Sequence, residues 1–97
     1  MTDETELRQD RSRGQEAERL LKSDLMQGAF STIRANLHAK WEATKAEDRE
    51  AREVFYTQLK CVNQVEEYFR QAIRSGKLAN NKLEEIDNGN TKRTGPG

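Results

Sequence analysis

The fold turns on residues 41–55, WEATKAEDREAREVF. From Glu42 to Glu53 the chain carries no large apolar side chain, only Ala43, Ala46 and Ala51. Thr44 followed by Glu47 has the spacing of a capping box. In that motif a hydroxyl accepts from the N3 amide and the N3 carboxylate reaches back to the cap amide. No Gly or Pro enforces a turn, so the competing reading is one uninterrupted helix of about fifty residues, about 75 Å long. Such a helix needs partner chains along its length, and a middle without large side chains pairs poorly. The cap and the gap in the core therefore favour two helices joined by a turn.

Both flanks support that reading. Before the gap, Met26, Phe30, Ile33, Leu37 and Trp41 recur in steps of three or four residues and share one helical face. Ser23-Asp24 supplies N-cap chemistry just ahead of them. After the gap, Phe55, Leu59, Val62, Phe69 and Ile73 form a seam, with Glu66 where a further apolar residue would complete it. Val54, Cys61, Val65, Tyr68 and Ala72 lie about 100° around the same helix, so the two rows make a broad apolar face. Gly76 reads as the stop, a residue that takes the left-handed C′ conformation without a Cβ penalty.

The expected fold is all-α: an antiparallel helical hairpin with short flanking helices and disordered termini. Residues 1–14 read as a flexible arm, because alternating charges around a single large apolar residue, Leu7, bury too little to offset ordering entropy. Residues 15–86 form the hairpin domain, with helices expected at about 15–22, 24–43, 47–75 and 78–86. Residues 87–97, DNGNTKRTGPG, read as a flexible tail.

Composition bounds the function. Ninety-seven residues and 11.2 kDa allow one small domain. Hydrophobic residues are 33% and charged residues 35% of the chain. Globular domains carry about 45–50% apolar and about 25% charged residues, so the core is thin. Lys+Arg 17 balance Asp+Glu 17, without the basic excess of a duplex-DNA binder. Cys61 is the only cysteine, which excludes an intramolecular disulfide. The acidic first ten residues lack the apolar run of a signal peptide. No apolar run approaches the roughly 18–20 residues of a membrane span. The cytoplasm is the default expectation.

Little in the chain can do chemistry. His38 has only Glu42 at ligand spacing on its helix, and one His with one Glu does not close a metal site. Cys61, within an apolar row, reads as a packing residue rather than a nucleophile. No P-loop, dinucleotide fingerprint, HExxH or paired-cysteine zinc pattern occurs. The expectation is a non-enzyme with no catalytic residue, no cofactor and no metal.

The surfaces point to partners instead. Two helices rarely bury a self-sufficient core at this size, so self-association or docking on a larger body is expected. Core or interface positions are Phe30, Ile33, Leu37, Trp41, Phe55, Leu59, Val62, Phe69 and Ile73. Trp41 and Tyr56 flank the turn, Trp41 as a cap on the core or as an aromatic anchor in an interface. Gly28, Ala35, Ala39, Ala43 and Ala46 line a small-residue strip, either a close-packing surface or simply good helix formers at exposed sites, and the second reading is favoured. Arg70, Arg74, Lys77 and Lys82, with Lys92 and Arg93 of the tail, can touch phosphate or an acidic partner. They lack the aromatic interleaving of a single-strand binder.

Arg13-Gly14-Gln15-Glu16-Ala17, Leu20-Leu21, Phe30, Trp41, the run Asp48 to Glu53 and Gly76-Lys77-Leu78-Ala79 occur in an order that resembles a set of small, uncharacterised helical proteins of tailed bacteriophages and prophages. The similarity covers about residues 13–80 and carries no catalytic residue. It implies a phage setting, in the host cytoplasm during assembly or in the virion. The expected function is a structural or assembly subunit that oligomerises or docks on a capsid, portal or connector. The alternatives are a small nucleic-acid-associated factor for packaging or transcription control, and an inhibitor of a host protein.

Overall fold

The computed structural model describes residues 3–94, with side chains as far as residue 89. Among the described residues it is all-α, with three helices and no strand: α1 Glu4–Lys22, α2 Asp24–Glu42 and α3 Arg49–Thr94. The chain divides into two compact units. One joins α1 up to Arg19 to the part of α3 from Phe69 onward, and the other comprises residues 20–68.

The turn forms where the apolar residues run out, so the chain is not one continuous helix. It is built by a different residue from the one expected. Thr44 does not cap α3. Its Oγ1 donates to the Trp41 carbonyl at 2.6 Å and accepts from Arg52 at 3.1 Å, closing the end of α2. Asp48 takes the capping role, its Oδ1 accepting from the Ala51 amide at 3.2 Å. A carboxylate suits that position better than a hydroxyl, since it also meets the positive end of the helix dipole. Ser23 does cap α2: it is the one non-helical residue after α1, and its Oγ accepts from the Met26 amide at 3.2 Å. The same hydroxyl donates to the Leu20 carbonyl, and Gln27 donates to the Leu21 carbonyl, so the broken end of α1 is satisfied.

Three expectations are corrected in the first unit. Residues 4–14 are not an arm but the first turns of α1, started by Asp3, whose Oδ1 accepts from the Glu6 amide. Leu7 is buried and clusters with Ala79 and Leu83 of α3, so tertiary contact supplies the burial that local composition does not. Gly76 does not stop a helix. It has no positive φ and lies inside α3, which runs on through the expected breaks at 76–77 and 87 to Thr94. Of the tail, residues 87–94 are helical, and residues 95–97 lie outside the described residues, as do Met1 and Thr2.

Gly76 serves the packing instead. A Cβ built on it would lie 2.8 Å from the Gly14 Cα and 3.0 Å from the Asp10 carbonyl. A Cβ on Gly14 would lie 2.7 Å from the Gly76 Cα and 2.8 Å from the Ala72 carbonyl. The two backbones are in contact here because neither residue has a side chain. Ala17 and Ala79 are buried on the same two helices, so small residues let α1 and α3 lie close along this stretch.

Candidate interaction surface

In the second unit the α2 row meets the first part of α3. Phe30 is buried, Met26 and Leu37 are half-buried, and Phe55, Leu59 and Val62 are half-buried opposite them. Arg34 locks the middle of this pairing. Its guanidinium donates to Asn63 Oδ1 at 3.0 and 3.1 Å and pairs with Glu66 Oε1 at 2.6 Å, while lying 5.4 Å from the Phe30 ring centre. Glu66 interrupts the apolar seam because it is the partner of Arg34.

Near the turn, Leu37, His38, Trp41, Phe55, Tyr56 and Leu59 line an open apolar hollow of about 250 Å³. Cations sit on its aromatic rings: the Arg52 guanidinium lies 4.2 Å from the Trp41 ring centre, and Lys60 Nζ lies 5.3 Å from that of Tyr56. His38 stacks on Trp41 at 6.0 Å, and its Nε2 lies 3.1 Å from Glu42 Oε1. The rings of this cluster are contacted by these neighbours yet stay open to solvent, Trp41 at 37% and Tyr56 at 56% exposure. Among the described residues no three His, Cys, Asp or Glu side chains gather into a metal-holding group.

The expected core residues divide between interior and surface. Phe30 is buried, and Leu37, Phe55, Leu59, Val62, Phe69 and Ile73 are half-buried. Ile33 and Trp41 are exposed. The second α3 row is exposed almost throughout: Val54, Cys61, Val65 and Tyr68 all stand in solvent. It does not share in the core as the broad-face reading implied, because α2 covers only the Phe55 row. On α2, Gly28 has open space around it and Ala35 and Ala39 are exposed, as are Ala43 and Ala46 between α2 and α3.

The four basic residues do not converge. Arg70, Arg74 and Lys77 fall within about 60° of one another around α3, whereas Lys82 points about 80–140° away from them. Lys77 borders a groove with Gly14, Ile73 and Asn80, and Lys82 borders a separate one with Leu7 and Leu78. The side chains of Lys92 and Arg93 lie outside the described ones.

Buried residues outside the expected core positions are Leu7, Gly14, Ala17, Leu21, Gly76, Ala79 and Leu83. Their signal was present as spacing. Leu7, Gly14, Ala17 and Leu21 step by seven, three and four, and Ile73, Gly76, Ala79 and Leu83 by three, three and four. Glycine and alanine at those places concealed a continuous helical stripe. None of the described helices is long and apolar enough to cross a membrane. No model of a protein family, no curated protein and no solved structure matches this chain.

Proposed function

We propose that the protein is a non-enzymatic helical interaction subunit that self-associates or docks on a larger assembly. In this reading α2 and the first part of α3 form an antiparallel helical hairpin that presents its uncovered apolar side chains to a partner. The observation that carries it is the size and number of those side chains. Leu25 is 86%, Tyr68 67% and Tyr56 56% exposed, alongside Ile33, Val54 and Val65. Single exposed apolar residues are ordinary on protein surfaces, but Val54, Val65 and Tyr68 share one side of α3, and gathered apolar side chains mark interaction sites. The setting that the resemblance over residues 13–80 implies for such a subunit is a phage capsid, portal or connector.

Size-exclusion chromatography with light scattering, run across a concentration series, tests the self-associating form. A mass that rises above 11.2 kDa with concentration is expected. A constant monomer mass at every concentration overturns self-association.

A further inference from the structure

The exposed row of α3 has a symmetry that its composition alone does not reveal. Val54, Cys61, Val65 and Tyr68 fall within about 60° of one another around the helix and extend about 21 Å along it. Val54 is 52% and Val65 53% exposed, Tyr68 more so, and Cys61 is exposed with a free thiol. The residues between them on the strip are Thr57, Gln58 and Gln64, all uncharged. Of the charged residues of this stretch, Lys60 lies about 100°, Glu67 about 120° and Glu66 about 140° around the helix from Cys61, so all three point away from the strip. In a chain with 35% charged residues, a surface strip free of charge for four turns has the make-up of an interface core.

Cys61 is the midpoint of that strip: Val54 lies seven residues before it and Tyr68 seven after. Seven residues are two helical turns to within about 20°, so the strip keeps its character when turned end for end about Cys61. A two-fold contact requires this, because the same patch must fit itself. It also requires that side chains facing the axis be uncharged, since there each meets its own copy; Lys60, next to Cys61 in sequence, points to the side. A heterologous partner imposes neither condition.

We propose that a second copy of the chain covers this strip, with two α3 helices packed antiparallel about a two-fold axis at Cys61. Cys61 then meets Cys61 of the other copy, Val54 faces Tyr68, and Val65 faces Thr57. With four large side chains a copy along about 21 Å, the contact is far smaller than the roughly 20–30 residues a side of a standard stable interface. The pair is therefore weak, reversible and formed at high concentration. The proposal rests on the reading that the chain acts through its exposed apolar faces, and it names the partner for one of them.

Cysteine cross-linking on the full chain tests the register, with light scattering following assembly separately. At high micromolar concentration, mild oxidation of the wild type is expected to give a covalent dimer through Cys61. In a Cys61→Ser background, chains carrying Val54→Cys alone, or Tyr68→Cys alone, are expected to stay uncoupled, because like positions lie about 21 Å apart along the axis. Mixing the two is expected to give the coupled heterodimer. Val65→Glu, at an exposed site that leaves helicity intact by circular dichroism, is expected to lower the dimer yield at least tenfold. Homodimers of the Val54→Cys chain at the yield of the mixture overturn the antiparallel register. Absence of Cys61 coupling in a sample that light scattering shows to be oligomeric overturns this pairing but leaves the wider reading standing. A monomer at every concentration overturns both the pairing and self-association.

Discussion

Gly14 and Gly76, sixty-two positions apart in sequence, bring α1 and α3 into backbone contact: a Cβ added to either would come within 2.8 Å of the other's Cα. Both residues are helical, so alanine would ordinarily help there by about 1 kcal/mol. The contact reverses that sign. Gly14→Ala and Gly76→Ala are each expected to lower the chemical-denaturation midpoint, at a cost of about 1–3 kcal/mol. Gly28→Ala, in a helix with nothing within 4 Å, is expected to raise it by about 0.5–1 kcal/mol. Equal effects at the three positions would show that propensity rather than contact governs.

Leu7 gives a second test, of α1 as part of the fold. It is 6% exposed and clusters with Ala79 and Leu83. Leu7→Ala is expected to cost about 2–5 kcal/mol, as at other buried leucines, with Leu83→Ala similar. A solvated arm predicts no change in the midpoint for Leu7→Ala.

The start of α3 separates two capping schemes. Asp48→Ala removes the acceptor of the Ala51 amide and is expected to cost about 1 kcal/mol. Glu47→Ala, which a capping box at Thr44 would make costly, is expected to change stability by less than about 0.5 kcal/mol. Thermal melts of the two variants side by side decide between the schemes.

Arg34 and Glu66 are coupled across α2 and α3. Arg34→Ala and Glu66→Ala are each expected to destabilise by about 1–2 kcal/mol, Arg34 losing its contacts to Asn63 and Phe30 as well. A double-mutant cycle should return a coupling energy of about 0.5–1 kcal/mol. Arg34→Met with Glu66→Leu, which completes the apolar seam, is expected to match or exceed wild-type stability. A double variant less stable than both single variants would refute that account.

Local chemistry was legible wherever it acts within a few residues. Helix in residues 24–42, its cap at Ser23, the break before α3 and the seam from Phe55 to Ile73 all follow from side-chain period, short polar caps and the absence of large residues from 42 to 53. The sequence also placed His38 beside Glu42, as i,i+4 neighbours on one helix must be.

What sequence reading alone could not settle is how a residue without a distinctive side chain is used. Gly76 stops a helix when its carbonyls need a left-handed cap and continues one when another backbone lies against it. Only the approach of Gly14 selects the second. Residues 4–14 have the composition of a solvated arm and become helix because α3 covers Leu7. The turn residues Thr44 and Asp48 both offer a capping oxygen, and the presence of Arg52 beside Thr44 leaves the α3 amides to Asp48. Local sequence thus determined where helices are possible, since propensity, period and capping act over one or two turns. Tertiary structure decided where they begin and end and which apolar rows are covered, because those outcomes depend on contacts between residues far apart in the chain.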